Sequence, residues 1–170
     1  PQDYETVRRL MDNLVKYINE PEIQDIDPLV KMAVIHYQFE SIHPFYDGNG
    51  RVGRIINVLF LVLSDLLRLP ILYLSRYIIR NKSEYYTLLR TLPETGNWEP
   101  WVLYMLDAVE QTSKETIVLI NAIRELMLQY KHGIREKLPK IYSLDLINNL
   151  FRHPYTKIEF VTDELMVHRN

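Results

Sequence analysis

The sequence has no cysteine among its 170 residues. Disulfides, thiolate metal sites and a cysteine nucleophile are therefore excluded, and the compartment is left open by that count. Long apolar runs are lacking too. The longest, Ile55 to Leu69, is broken by Ser64, Asp65 and Arg68. It is too short and too polar to cross a bilayer and reads as a buried central helix. Charge of one sign is also missing. The formal net charge is -2, so no global field draws the chain to nucleic acid or to a membrane. Repeats, low-complexity runs and a signal-peptide pattern are absent. The chain opens on Pro1 rather than methionine, so a trimmed piece of a longer protein is expected. Glycine is scarce at five residues, yet three of them, Gly48, Gly50 and Gly53, fall close together.

What is present is helical pattern nearly throughout. Apolar residues make up 47% of the chain, enough to build one main core and leave room for an appendage. Val7, Leu10, Met11, Leu14, Val15 and Ile18 recur at three-four spacing and predict a helix over 3–19. Asp27 predicts an N-cap with Pro28 in the first turn, and that helix runs to Ile42, where His43-Pro44 ends it. Met32, Ile35, His36 and Phe39 are expected to face the core, His36 as a core histidine rather than a second base. Further helices are expected at 51–69, 75–80, 82–92, 98–111 and 114–132, stopped by Pro70, by Pro93 with Gly96, and by Gly133. No segment before residue 134 alternates like a strand. An all-α bundle follows.

The scarce glycines sit in the most informative stretch, His43-Pro44-Phe45-Tyr46-Asp47-Gly48-Asn49-Gly50-Arg51-Val52-Gly53-Arg54. An apolar run follows at once, so a loop feeding the N-terminus of a buried helix is expected, a place receptive to phosphate. Gly48 and Gly50 let an anion approach the main chain. Asn49 tolerates left-handed backbone and can donate through its amide. Arg51 and Arg54, three apart, share a helix face, and each can grip phosphate through its planar fork. Asp47 is a hard oxygen ligand suited to Mg²⁺, which binds through one or two carboxylates plus substrate phosphates. His43 suits general-base work near neutrality.

This string resembles the signature of Fic-domain proteins, His-x-Phe-x-(Asp/Glu)-Gly-Asn-Gly-Arg-x-x-Arg, at every fixed position. The flanks are similar as well: the helix-like 27–42 before it, then Leu69-Pro70, Tyr85-Tyr86, Gly96-Asn97-Trp98 and Trp101 after it, covering about residues 1 to 130. The resemblance implies a Fic-type helical bundle with the signature loop between two central helices. It implies a protein adenylyltransferase that moves AMP from ATP to a Ser, Thr or Tyr hydroxyl of a target protein and releases pyrophosphate. In that reading His43 is the base and Asp47 holds Mg²⁺. The nucleotide lies along Asp47, Gly48, Asn49, Gly50, Arg51, Val52, Gly53 and Arg54, with Arg54 at the distal phosphate end. Tyr85 and Tyr86 resemble a tyrosine pair bordering the adenine pocket; a plain helix-packing pair accounts for them equally well.

The Doc-like branch carries Ala-Asn-Lys at 48–50 and resembles a kinase, so Gly50 favours AMP transfer here. Two alternatives stay open. One is a Fic transferase using another nucleotide or a phosphodiester donor, or removing AMP. The other is a nucleotide-sensing regulator that binds DNA, against which the intact His43 argues. The resemblance also implies a cytoplasmic setting, where ATP is available, and a homodimer, since family members often pair. Residues 1–133 are read as the catalytic domain. Residues 134–170 are read as the start of a winged helix, with a helix at 144–151 and Ile158–Leu165 entering a helix-turn-helix with Thr162 as N-cap; a C-terminal helical extension is the alternative. DNA contact would need the completed winged helix of a parent protein. The family's inhibitory string, (Ser/Thr)-x-x-x-Glu-(Gly/Asn), is absent from these residues. It and a target-docking flap are expected upstream of Pro1.

Overall fold

The computed structural model describes residues 3–20 and 26–166. Its helices are α1 Tyr4–Asn19, α2 Pro28–Ile42, α3 Asn49–Leu63, α4 Ser75–Arg80, α5 Lys82–Thr95, α6 Glu99–Lys137, α7 Leu144–Arg152 and α8 Ile158–Leu165. No strand occurs among the described residues, so the chain is all-α. It divides into two compact units, one up to Thr116 and one from Ile117 on, with α6 contributing to both.

In the first unit α2 is the central element. The Asp27 carboxylate accepts from Leu29 N at 2.8 Å, with Pro28 at the first turn, as the sequence predicts. Met32, Ala33, Ile35, His36, Tyr37, Phe39 and Ile42 are buried on it. A helix buried nearly all round has no solvent stripe, so it belongs at the middle of a bundle. It packs on α1 and α3. Trp101 from the start of α6 is fully buried beside it, and its Nε1 donates to the Ala33 carbonyl at 2.8 Å. Asp3 caps α1 by accepting from Thr6 N at 3.0 Å.

Three boundaries differ from expectation. The helix predicted over 51–69 is α3, Asn49–Leu63, ended well before Pro70. Asp65 turns left-handed at φ 57°, and Leu66 N and Leu67 N both reach back to the Leu61 carbonyl, a Schellman-type close. Pro93 does not stop α5. It lies in the last turn, and Gly96 at φ 66° ends the helix with its N–H on Leu92 O. The two helices expected at 98–111 and 114–132 are one, α6, of 39 residues. Nothing between Gln111 and Lys114 breaks a helix, and a lone Gly133 costs only about 1 kcal/mol. The space around Gly133 is open. Gly133→Ala is therefore expected to stabilise the chain by about 1 kcal/mol in denaturant titration.

In the second unit Ser143 caps α7 by accepting from Leu146 N at 3.0 Å. Ile147 is buried, and Asn149 Nδ2 donates to Phe160 O and to Glu164 Oε2, both at 3.0 Å, which ties α7 to α8. Thr162 is not an N-cap. It lies inside α8 with its hydroxyl donating to the Glu159 carbonyl, and the helix begins after Lys157.

Candidate functional site

The loop between α2 and α3 is fixed at both ends by its own sequence. His43 is the C-cap of α2, left-handed at φ 52°, with its N–H on Phe39 O at 3.0 Å. A histidine adopts this conformation more readily than a branched residue. Its Nδ1 lies 3.3 Å from the Glu40 carbonyl. A carbonyl only accepts, so Nδ1 carries the hydrogen and Nε2 keeps its lone pair, the arrangement a general base needs.

Asn49 also holds the loop. It is buried, and its Oδ1 accepts from Phe45 N at 2.9 Å while its Nδ2 donates one hydrogen to Phe45 O at 2.6 Å. Gly48 precedes the helix at φ 87°, a conformation glycine adopts without strain. It carries no side-chain cap, so the first amides of α3 are left for an anion.

A cleft of about 460 Å³ opens over this helix start. The structure brings His43, Asp47, Gly48, Asn49, Gly50, Arg51 and Arg54 to it from the signature. Asp47 and Arg51 face each other at 3.6 Å, both well exposed, so the pair holds little energy and both remain open to a ligand. Arg54 donates from Nε to Ser75 Oγ at 2.7 Å. Val52 and Gly53 are not brought to the cleft. Val52 packs on the apolar core. Gly53 is buried, and a Cβ there would stand 2.8 Å from Glu40 Oε1 and 3.2 Å from His36 Nδ1. Gly53→Ala should therefore lose about 1 kcal/mol, the overpacking outweighing the gain in helix propensity, whereas Gly133→Ala gains. The comparison of the two midpoints in urea checks it.

The tyrosine pair separates. Tyr85 is buried, its hydroxyl 3.0 Å from His36 Nε2 and its ring against Trp101 and Tyr104. The packing reading describes it, although it reaches the cleft wall. Burial raises its pKa, so it stays protonated. Tyr86 is half-exposed, and Lys82 Nζ lies 5.8 Å from its ring centre. Its free ring face, beside Ile78 and Ile79 on the same cleft, can stack a base. His36 is fully buried, stacked parallel to Trp101, with its pKa lowered to about 4 by desolvation first and the Arg54 charge after it.

Sequence reasoning singles out neither Ser75 nor Glu40. Glu40 faces the cleft, with one carboxylate oxygen buried and unpartnered. Desolvation raises its pKa, while the charges of His43 and Arg54 pull it down. Only helical phase could have signalled Glu40, three residues before His43. Nothing short-range links Ser75 to Arg54, 21 positions away.

Comparisons with known proteins bear on both ends of the chain. The model for the Fic/DOC family matches residues 1–61. That for the protein adenylyltransferase SoFic-like C-terminal domain matches residues 126–170. The protein adenylyltransferase fic-1 of Caenorhabditis elegans is 30% identical over 105 residues, covering 62% of this chain and 19% of the relative. The protein adenylyltransferase Fic of Drosophila erecta is 30% identical over 103 residues, covering 61% and 19%. The chain thus spans about a fifth of the length of these curated relatives. A crystal structure of a Fic family protein from Desulfovibrio desulfuricans G20 superposes with TM-score 0.59 at 24% identity, over 97% of this chain and 44% of that one. This likeness is one of fold.

Proposed function

From the family matches at both ends of the chain we propose that it is a protein adenylyltransferase of the Fic/DOC family, moving AMP from ATP to a Ser, Thr or Tyr hydroxyl of a target protein. The observation that carries this reading is the meeting, in one cleft, of a histidine with a free Nε2, an uncapped helix N-terminus and two arginines. His43 Nε2 takes the proton of the target hydroxyl. The oxygen attacks the α-phosphorus, its bond to the bridging oxygen breaks, and pyrophosphate leaves. The amides of α3 and the forks of Arg51 and Arg54 hold the phosphates and offset their charge, which supplies most of the rate in such transfers.

Among the described residues no group of three metal-ligating side chains occurs. A single exposed carboxylate, Asp47, still fits Mg²⁺, because that ion draws its other ligands from substrate phosphates and water. Asp47 would hold it, and the ion would neutralise charge between two phosphates. A compartment rich in ATP, such as the cytoplasm, suits this chemistry; no helix among the described residues is long and apolar enough to cross a membrane. All the proposed site residues precede residue 134, which supports reading 1–133 as the catalytic part and 134–170 as an appended segment.

Gly50 favours AMP transfer over phosphorylation. A Cβ at that position would meet Arg54 Nη1 at 3.0 Å, so a larger residue would displace the arginine. The test is incubation with Mg²⁺ and ATP labelled at the α- or γ-phosphate, in the presence of a cell lysate, with mass spectrometry of the labelled proteins. AMP adducts and label from the α-position alone are expected. Label from the γ-position on protein would identify a kinase and overturn the reading.

A further inference from the structure

Arg54 is the residue on which the distal phosphates depend in the proposed function, and its side chain is held. Its Nε donates to Ser75 Oγ at 2.7 Å, and its Nη1 lies over Gly50. Ser75 is the first residue of α4 and is itself anchored. Leu72 and Leu74 before it and Tyr77 and Ile78 after it are all buried. Among the described residues no protein acceptor takes Nη1 or Nη2 of Arg54. The outer edge of its fork is left for a ligand.

We infer that Ser75 is a positioning residue for the nucleotide: its hydroxyl oxygen takes the Nε–H of Arg54 and so aims the two terminal nitrogens at the β- and γ-phosphates. Ser75 lines the adjoining cavity, which shares Arg51 and Arg54 with the cleft, and is proposed to act through Arg54. A free arginine loses much rotamer freedom on binding, and one already fixed at Nε loses less, so the hydroxyl contributes to affinity without touching the ligand. The inference rests on the proposed function and locates the control of triphosphate affinity in α4, an element outside the signature.

The experiment is calorimetric binding of ATP and of AMP to the wild type, Ser75→Ala, Ser75→Thr, Arg54→Ala and the double variant Ser75→Ala/Arg54→Ala. Ser75→Ala should weaken ATP about fivefold, the scale of one charge-assisted hydrogen bond partly replaced by water, and leave AMP within about twofold. Ser75→Thr keeps the acceptor and should bind ATP like the wild type. In the Arg54→Ala background Ser75→Ala should cost less than about twofold, since residues acting as one unit are not additive. Equal losses in both backgrounds, or equal losses for ATP and AMP, would make Ser75 a merely structural residue and overturn the inference. So would unchanged ATP binding by Ser75→Ala beside a wild type that binds, and that outcome would leave the proposed function standing. Failure of the wild type to bind ATP at all would overturn the proposed function and this inference with it.

Discussion

His43→Ala should lower AMP transfer by about 10²-fold or more, with ATP affinity within about twofold of the wild type, the usual scale for loss of a general base. The separation follows from the geometry. In the proposed reaction the phosphates would be held by the amides of α3 and by Arg51 and Arg54, and the proton would be taken by the imidazole. The base is held by the Glu40 carbonyl at Nδ1. Removing the ring removes the proton acceptor and leaves the anion site intact. One complication is local. Position 43 has φ 52°, where alanine is strained. His43→Asn adopts that backbone readily and is the cleaner variant. Both should show the same loss of turnover. Transfer at the wild-type rate in either would remove His43 from the reaction, and a matching loss of ATP affinity would make the residue a determinant of loop shape instead.

Most of what positions the site was readable because it depends on short-range signals. The Asp27 cap, the end of α2 at His43-Pro44 and the glycine loop feeding the start of α3 each follow from a few adjacent residues. Element ends were harder to place than element cores. Apolar residues to Leu69 suggested a longer α3, but the left-handed turn at Asp65 ends it. The gap expected between 111 and 114 is absent: Thr112 is buried and α6 runs on. The bonds of Asn49 to the Phe45 backbone show only once the loop is folded. Glu40 and Ser75 required the packing of α2 and α4 about α3, which no local spacing encodes.

His36 makes the first unit sensitive to acid. In the folded state its pKa is lowered to about 4, against an ordinary value of 6.5, chiefly by burial. The unfolded chain therefore binds a proton through this window while the folded chain does not. Stability is full above about pH 6.5 and falls as the pH drops toward 4, by about 3 kcal/mol in all. Enclosure of the ring beside Trp101 and Tyr85 is the main cause; a Gly53 backbone contact favours the charged form, and Arg54 on α3 repels a second cation. Glu40, one turn further along α2, titrates in the other sense. Its raised pKa makes the folded state the better proton binder and offsets part of the loss. The quantity to measure is thus a difference in slope. Urea unfolding followed by the fluorescence of Trp98 and Trp101, both in this unit, gives stability at pH 7 and pH 5 for the wild type and for His36→Gln. The variant starts less stable, because the contact with Tyr85 is altered, but should lose markedly less between the two pH values. Equal slopes would mean that His36 is protonated in the folded core and that the carboxylates alone set the acid limit.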